Sequence, residues 1–425
     1  MKQGSAMHQQ QLLRAFPLYG FHWRMKDEWV SADLDATPVQ PVMQAIWRDY
    51  FLPAHPNVVR FHIDIMAYWA KPANEQQTEA NAMVINRLIN LCRYARASDV
   101  RLISIFAGSH RYRPGKERQF PVNVAAFVQD FLRQLQRLGE TELYEQIAIW
   151  QVEDEMNHPI RHAGWAQGVY TAMLLTACEN IRVVEQRETS PCHAPRMVIF
   201  PADLMFFKDF VLRPWHYVPA MLRYRFYDFT PPGDLKAFVN SEAVDIIGVD
   251  LYPGLYSPLA TTETFLKLVR HLCQTYGLGT CYNKHILVAE AGYPTLPNGY
   301  GRERNQLRFY QKMMTGLSDY HWRGGGREQG FLGLIWYCFN DQKIRLILWP
   351  PQEWRFGAVK TVPPNEWYAT YPSEPKLVWY WLRDNVVPFS EKEEVVAKEG
   401  DDYPGSPWRR TPEHGSGYLG SVVRT

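Results

Sequence analysis

Eight short apolar runs, each followed by a polar or aromatic junction and then by helical periodicity, constrain this chain more than any other feature. The runs are Pro17–His22, Asn57–Ile63, Arg101–Phe106, Ile147–Val152, Arg196–Phe200, Val244–Val249, His285–Ala289 and Phe331–Trp336. They are continuous rather than alternating. Ile286–Leu287–Val288–Ala289 offers no polar face, as suits a strand buried on both sides in a parallel sheet covered by helices. Between the runs, Val84, Leu88, Leu91 and Ala95 recur at helical spacing, as do Val124, Val128, Phe131, Leu135 and Leu138, and again Phe265, Leu268 and Leu272. Lys376–Arg383 reads as a closing helix. Eight strand-then-helix units predict an α/β protein built as a closed (β/α)8 TIM barrel. A doubly wound open sheet is the rival. It would favour a glycine-rich phosphate turn after the first strand, and Tyr19–Gly20–Phe21–His22–Trp23 contains none.

The pattern runs from about Phe16 to Val387, so residues 1–15 are expected to be a lead-in, 16–388 the barrel and 389–425 a C-terminal extension. Two stretches interrupt the repeat. Met205–Pro232, dense in aromatics, is expected to be an elaborated loop after the fifth strand. Asn340–Pro372 follows the eighth and carries Trp349, Trp354 and Trp367. Ser390–Thr425 turns polar, with Gly and Pro, and reads as a surface-wrapping or partly disordered tail.

Composition narrows the partners. Lys+Arg is 46 against Asp+Glu 44, which gives no electrostatic reason to expect nucleic acid or an anionic membrane surface. No apolar run approaches the roughly 18 residues of a membrane span. Met1–Gln11 lacks a signal-peptide core, so a cytoplasmic location is expected, or a secreted one if a leader has been removed. The cysteines (Cys92, Cys178, Cys192, Cys273, Cys281 and Cys338) show no CxxC and no regular spacing, and read as free thiols. Aromatic residues make up 14% of the chain. That excess can build a large core or line a cleft that stacks planar or sugar-like ligands.

In a (β/α)8 barrel the reactive groups sit where strands end, on the C-terminal face. The second run ends with Arg60, His62 and Asp64 on one side by period-two alternation. The third ends near His110. The fourth ends in Gln151, Glu153, Asp154 and Glu155, the sixth in Asp250–Leu251–Tyr252, the seventh in Glu290, and the eighth in Trp336–Tyr337–Cys338–Phe339–Asn340–Asp341. A carboxylate directly after Ile286–Ala289 is costly to bury without a partner, which argues for a chemical use.

Taken in order, these strand ends resemble the glycoside hydrolases of clan A, retaining (β/α)8 enzymes. Trp150–Gln151–Val152–Glu153–Asp154–Glu155 is similar to the segment of the clan's β-galactosidases that ends in the acid/base Glu. Ile286–Leu287–Val288–Ala289–Glu290–Ala291–Gly292 is similar to its nucleophile strand. The resemblance implies that Glu155 is the general acid/base and Glu290 the nucleophile. It implies that Arg60 holds the nucleophile, that Tyr252 reaches it, and that Trp336 floors the first sugar subsite. His62 and His110 are candidates for contacts to sugar hydroxyls. Asp154 departs from the pattern, since the clan usually has an Asn there that donates a hydrogen bond to the sugar 2-hydroxyl. An ionised Asp can only accept one.

The implied activity is hydrolysis of β-linked O-glycosidic bonds by double displacement. It acts on an oligosaccharide, polysaccharide or glycoside and needs no metal or cofactor. Two carboxylates about 5–5.5 Å apart suffice for that chemistry. A carbohydrate-binding barrel without catalytic activity is the alternative, kept open by Asp154. A metal-dependent barrel hydrolase is a third reading, suggested by His22, His62 and His110 at the first three strand ends.

Overall fold

The computed structural model describes residues 13–25, 39–63, 75–106, 115, 118–154, 167–201, 234–252, 261–295, 303–341, 355–360 and 371–389. Glu155, His110, Asp64, the Met205–Pro232 loop, most of Asn340–Pro372 and the tail from Ser390 lie outside them.

The apolar runs form the strands β1 Leu18–His22, β2 Val58–His62, β3 Arg101–Phe106, β4 Ile147–Val152, β5 Arg196–Pro201, β6 Ile246–Leu251, β7 His285–Ala291 and β8 Phe331–Tyr337. Each pairs in parallel with the next, and β8 returns to β1, from Leu18 opposite Gly333 to His22 opposite Tyr337, so the sheet closes as a barrel. The helices alternate with the strands: α1 Pro41–Ile46, α2 Glu75–Ala97, α3 Gln119–Leu138, α4 Gln167–Arg187, α5 Asp234–Asn240, α6 Thr262–Tyr276, α7 Glu303–Arg323 and α8 Leu377–Asn385. This is the expected (β/α)8 barrel. No helix among the described residues is long and apolar enough to cross a membrane.

Two apolar layers explain why the strand runs are continuous. Leu18, Val58, Ile103, Ile149, Met197, Ile199, Ile246, Leu287, Ala289, Leu332 and Ile335 fill the barrel interior. The residues between them face the helices. Trp150 is the pattern for that outer layer. It stacks on Phe106 at 5.0 Å between centroids, and its Nε1 donates to the Tyr144 hydroxyl at 2.8 Å. On α3, Phe120, Val124, Phe127, Val128, Phe131 and Leu135 make one buried stripe, and the helix stops at Gly139 in the left-handed region (φ 70°). Thr261 and Thr264 form a capping box at the start of α6. Fully burying each large apolar side chain contributes about 1.5–3 kcal/mol, so these layers, rather than helix propensity, hold the elements in place.

Much of the aromatic excess is core. Trp23, Trp47, Phe51 and Phe339 pack with Phe21 beside β1, with Trp23 stacked on Phe51 at 5.1 Å. The chain is also tied end to end. Leu13–Arg14 pairs in parallel with Val386–Val387, so the last residues of the expected lead-in take part in the barrel's outer structure.

Behind the end of β8, buried Lys376 donates from Nζ to Asp341 Oδ1 at 2.6 Å, to Thr295 Oγ1 at 3.1 Å and to the Arg355 carbonyl at 3.1 Å. Burial pushes the Asp341 carboxyl up and the Lys376 ammonium opposes it. This cluster joins the ends of β7 and β8 to the start of α8.

Candidate active site

At the C-terminal mouth of the barrel one guanidinium organises the polar groups. Arg60 reaches inward from β2 and is fully buried. Its Nε donates to Gln151 Oε1 at 2.8 Å, its Nη2 to Asp154 Oδ1 at 2.7 Å, and its Nη1 to both Glu290 Oε1 and His22 Nδ1, the latter at 2.6 Å. Burial works against the Arg60 charge, but Glu290, Asp154 and Asp250 together outweigh it and hold its pKa above the ordinary value. Asp154 Oδ1 accepts from the guanidinium in this ion pair.

Glu290 is gripped from both sides. Arg60 donates to Oε1 and the Tyr252 hydroxyl to Oε2. Burial, then the charges of Glu290 and Asp250, pushes the Tyr252 phenol well above its usual range, so it stays protonated and donating. Glu290 itself is 4% exposed. Its aim comes from an irregularity in β7. Val249 and Asp250 of β6 lie opposite Val288 and Glu290, and Leu334 and Trp336 of β8 lie opposite Val288 and Ala291. β7 therefore carries one extra residue against both neighbours. The bulge turns Glu290 inward although the preceding Ala289 already faces the interior.

His22, at the end of β1, accepts from Arg60 through Nδ1, so its proton sits on Nε2. Burial, then Arg60, holds this imidazole well below its ordinary value, and it remains neutral. His62 stands beside it, with ring centroids 5.1 Å apart, and its Nε2 lies 3.7 Å from Asp154 Oδ2. Tyr252, Tyr337 and Phe356 form an edge-to-face aromatic group next to Glu290, at centroid distances of 5.4–5.8 Å. Gly292 makes this packing possible. A Cβ there would lie 2.4 Å from the Tyr337 carbonyl and 2.8 Å from the Phe356 ring.

The structure thus brings together Arg60, Glu290, Tyr252, Asp154 and His62 from the residues expected of the site. Trp336 is a correction. Its indole is fully buried on the outer face of β8, stacked on Tyr310 of α7 with centroids 3.7 Å apart and planes 15° apart. It faces the helix layer, and Tyr337 is the β8 aromatic that faces the mouth. Gln151, noted at the end of the fourth run but given no role there, belongs to the site: its Nε2 donates to Asp154 Oδ1 at 3.3 Å and to the Glu153 carbonyl at 2.9 Å. Its signal was a lone amide inside an apolar run. Glu153 is buried, in the left-handed region (φ 64°), with its carboxylate accepting from the Asp154 backbone N–H.

Among the described residues no group of three or more His, Cys, Asp or Glu side chains could hold a metal ion. At the mouth His22 and His62 instead face Arg60 and Asp154, and the guanidinium occupies the centre of the carboxylates.

Solved structures share this architecture. A rice β-glucosidase superimposes with a TM-score of 0.55 at 11% identity, covering 88% of this chain and 100% of that one. A GH1 β-glucosidase from Exiguobacterium antarcticum B7 gives 0.50 at 14% identity, covering 94% and 100%. At these identities the likeness is one of fold. No protein-family model and no curated protein sequence matches the chain.

Proposed function

We propose that the chain is a glycoside hydrolase that cleaves β-linked O-glycosides by double displacement, with Glu290 as nucleophile and Glu155 as general acid/base. The observation that carries this reading is the two-sided grip on Glu290 at the barrel mouth. A nucleophilic carboxylate must hold one orientation, and a guanidinium on one oxygen with a phenol on the other supports that.

In this reading Glu290 attacks the anomeric carbon and forms a covalent glycosyl ester. Glu155, the residue after Asp154 at the end of β4, protonates the departing oxygen. It then takes a proton from the water that cleaves the ester. Asp154 and Asp250 add negative charge beside Arg60, and negative charge around the sugar favours the oxocarbenium-like transition state. The rice structure named above is a variant in a covalent complex with glucose.

A panel of aryl β-glycosides tests the proposal. Wild-type protein is expected to release the aryl alcohol, and Glu290→Gln to release none. Glu155→Ala is expected to lose about 10²–10⁴-fold on glycosides with poor leaving groups. It should still form the ester from dinitrophenyl glycosides, and azide should restore its turnover. Equal loss on all substrates without azide rescue would remove Glu155 from the role and make Glu153 the next candidate. No hydrolysis of any glycoside would remove the function.

A further inference from the structure

We infer that Gln306, on the outer helix α7, positions the Tyr252 phenol on Glu290 and so sets the rate of attack. The effect on rate rests on the glycosidase reading, which the inference deepens. Gln306 lies in the first turn of α7 and is fully buried. Its Nε2 donates to the Tyr293 carbonyl at 2.9 Å, the Phe356 carbonyl at 3.1 Å and the Gly357 carbonyl at 3.3 Å. The first of these belongs to the chain leaving β7, three residues after Glu290. The other two belong to the segment that carries the Phe356 ring. That ring packs on Tyr252 at 5.4 Å and on Tyr337 at 5.6 Å. One amide therefore holds both sides of the Tyr252–Glu290 hydrogen bond, the backbone behind the carboxylate and the wall behind the phenol.

Three carbonyl oxygens converge on one buried point. A primary amide supplies two N–H groups there, one of them shared between the adjacent Phe356 and Gly357 carbonyls. Phe309, on the next turn of α7, packs on the Tyr293 ring at 5.7 Å and holds the same chain from the side. The flanks of Phe356 are tied elsewhere. The Thr295 N–H donates to the Arg355 carbonyl at 2.9 Å, and the Gly357 N–H to Asp341 Oδ1 at 2.9 Å. Gln306 fixes Phe356 itself. Without the amide, the Phe356 segment can draw back from the mouth and the Tyr252 ring can follow it. A misplacement of about 1 Å in such a constellation can cost on the order of 10²-fold in rate. The loss falls on kcat rather than KM, because the Tyr252 contact orients the attacking carboxylate and not the bound sugar.

The test uses Gln306→Met, which keeps the length of the side chain and removes both N–H groups, alone and combined with Tyr252→Phe. Turnover of 4-nitrophenyl β-glycosides is measured well below each melting temperature. Gln306→Met is expected to lower kcat about 10–100-fold, with KM changed by no more than about twofold. In the Tyr252→Phe protein the same substitution is expected to cost no more than about twofold, since the contact it disturbs is already gone. Gln306→Glu keeps one O–H donor while its buried carboxyl is protonated. Its kcat relative to wild type is expected to be highest at low pH and to fall as pH rises. An undiminished kcat in Gln306→Met, or an equal fold-loss with and without the Tyr252 hydroxyl, overturns the inference and leaves the hydrolase reading intact. Should Gln306→Met fail to fold, a Gln306→Glu to wild-type ratio that does not change with pH overturns it. Crystal structures of the wild type and the folded Gln306 variant give a readout that needs no turnover. The Tyr252 hydroxyl is expected to leave Glu290 Oε2 by more than about 0.5 Å in the variant. If no glycoside is hydrolysed, the hydrolase reading falls. A displaced phenol then still supports the positioning by Gln306, and an unmoved one overturns it.

Discussion

Trp336 and Tyr337 are neighbours in the chain and face opposite sides of β8. Trp336 lies under Tyr310 in the helix layer, whereas Tyr337 packs against His22, Tyr252 and Phe356. Their substitutions should separate accordingly. Trp336→Ala is expected to cost about 3–5 kcal/mol of stability, read by urea unfolding, with KM little changed in the protein that remains folded. Tyr337→Leu is expected to raise KM with a much smaller loss of stability. A Trp336 variant of normal stability that cannot bind glycosides would contradict the placement. The resemblance carries an aromatic to the end of the eighth strand, and by sequence position alone that aromatic is Trp336. Counting alternate residues from inward-facing Ile335 leads to Tyr337 instead. That count needs one residue of known orientation, which a continuous apolar run does not supply. Arg60 and His62 were legible by the same alternation because each is polar amid apolar neighbours. His22 was visible too, but its use as an acceptor for Arg60 was not, since that depends on a contact between strands.

The strands were readable to within one or two residues because burial on both faces leaves uninterrupted apolar runs, and few loops look like that. The extra residue in β7 was not readable. Strict alternation from Ala289 would send Glu290 toward the helices, and only pairing with β6 and β8 reveals the bulge that turns it inward. Helix-to-strand contacts carry a testable pH dependence. His321 of α7 donates from Nδ1 to the Phe331 carbonyl of β8 at 3.0 Å and meets the Phe16 ring edge-on. Burial, with Arg327 assisting against the hydrogen bond to Phe331, lowers its pKa from 6.5 to about 4. Above pH 6.5 the imidazole is neutral whether the chain is folded or unfolded. Between that value and about 4 the unfolded chain binds a proton that the folded chain does not, so stability is lost as pH falls through this window. The loss is up to ~3 kcal/mol. His321→Gln should flatten this part of the curve, measured as the difference in urea midpoint between pH 7 and pH 5. An equal acid loss in both proteins would show that His321 is not its source.

Across the whole molecule, closure of the barrel brings Arg60 from β2, Gln151 and Asp154 from the end of β4, Tyr252 from the end of β6 and Glu290 from β7 to one mouth. These residues are scattered over most of the sequence, and the eight-fold repeat, with the resemblance carried by the strand ends, predicted that they would meet. Composition said less than it promised. The aromatic excess pointed equally to a core and to a sugar cleft, and Phe21, Trp23, Trp47, Phe51, Trp150 and Trp336 turn out to be core. The site is instead made of groups whose meaning lies in pairing. A guanidinium placed between carboxylates holds Glu290 in one orientation, and removing one partner from such a buried pair costs about 3–5 kcal/mol. The central claim is that this carboxylate attacks the sugar directly. Proton NMR during the first minutes of hydrolysis of an aryl β-glycoside tests it. Attack by Glu290 followed by water releases the β-anomer first, and the α-anomer then grows in by mutarotation. First release of the α-anomer would mean a single displacement by water, and Glu290 would not be the nucleophile.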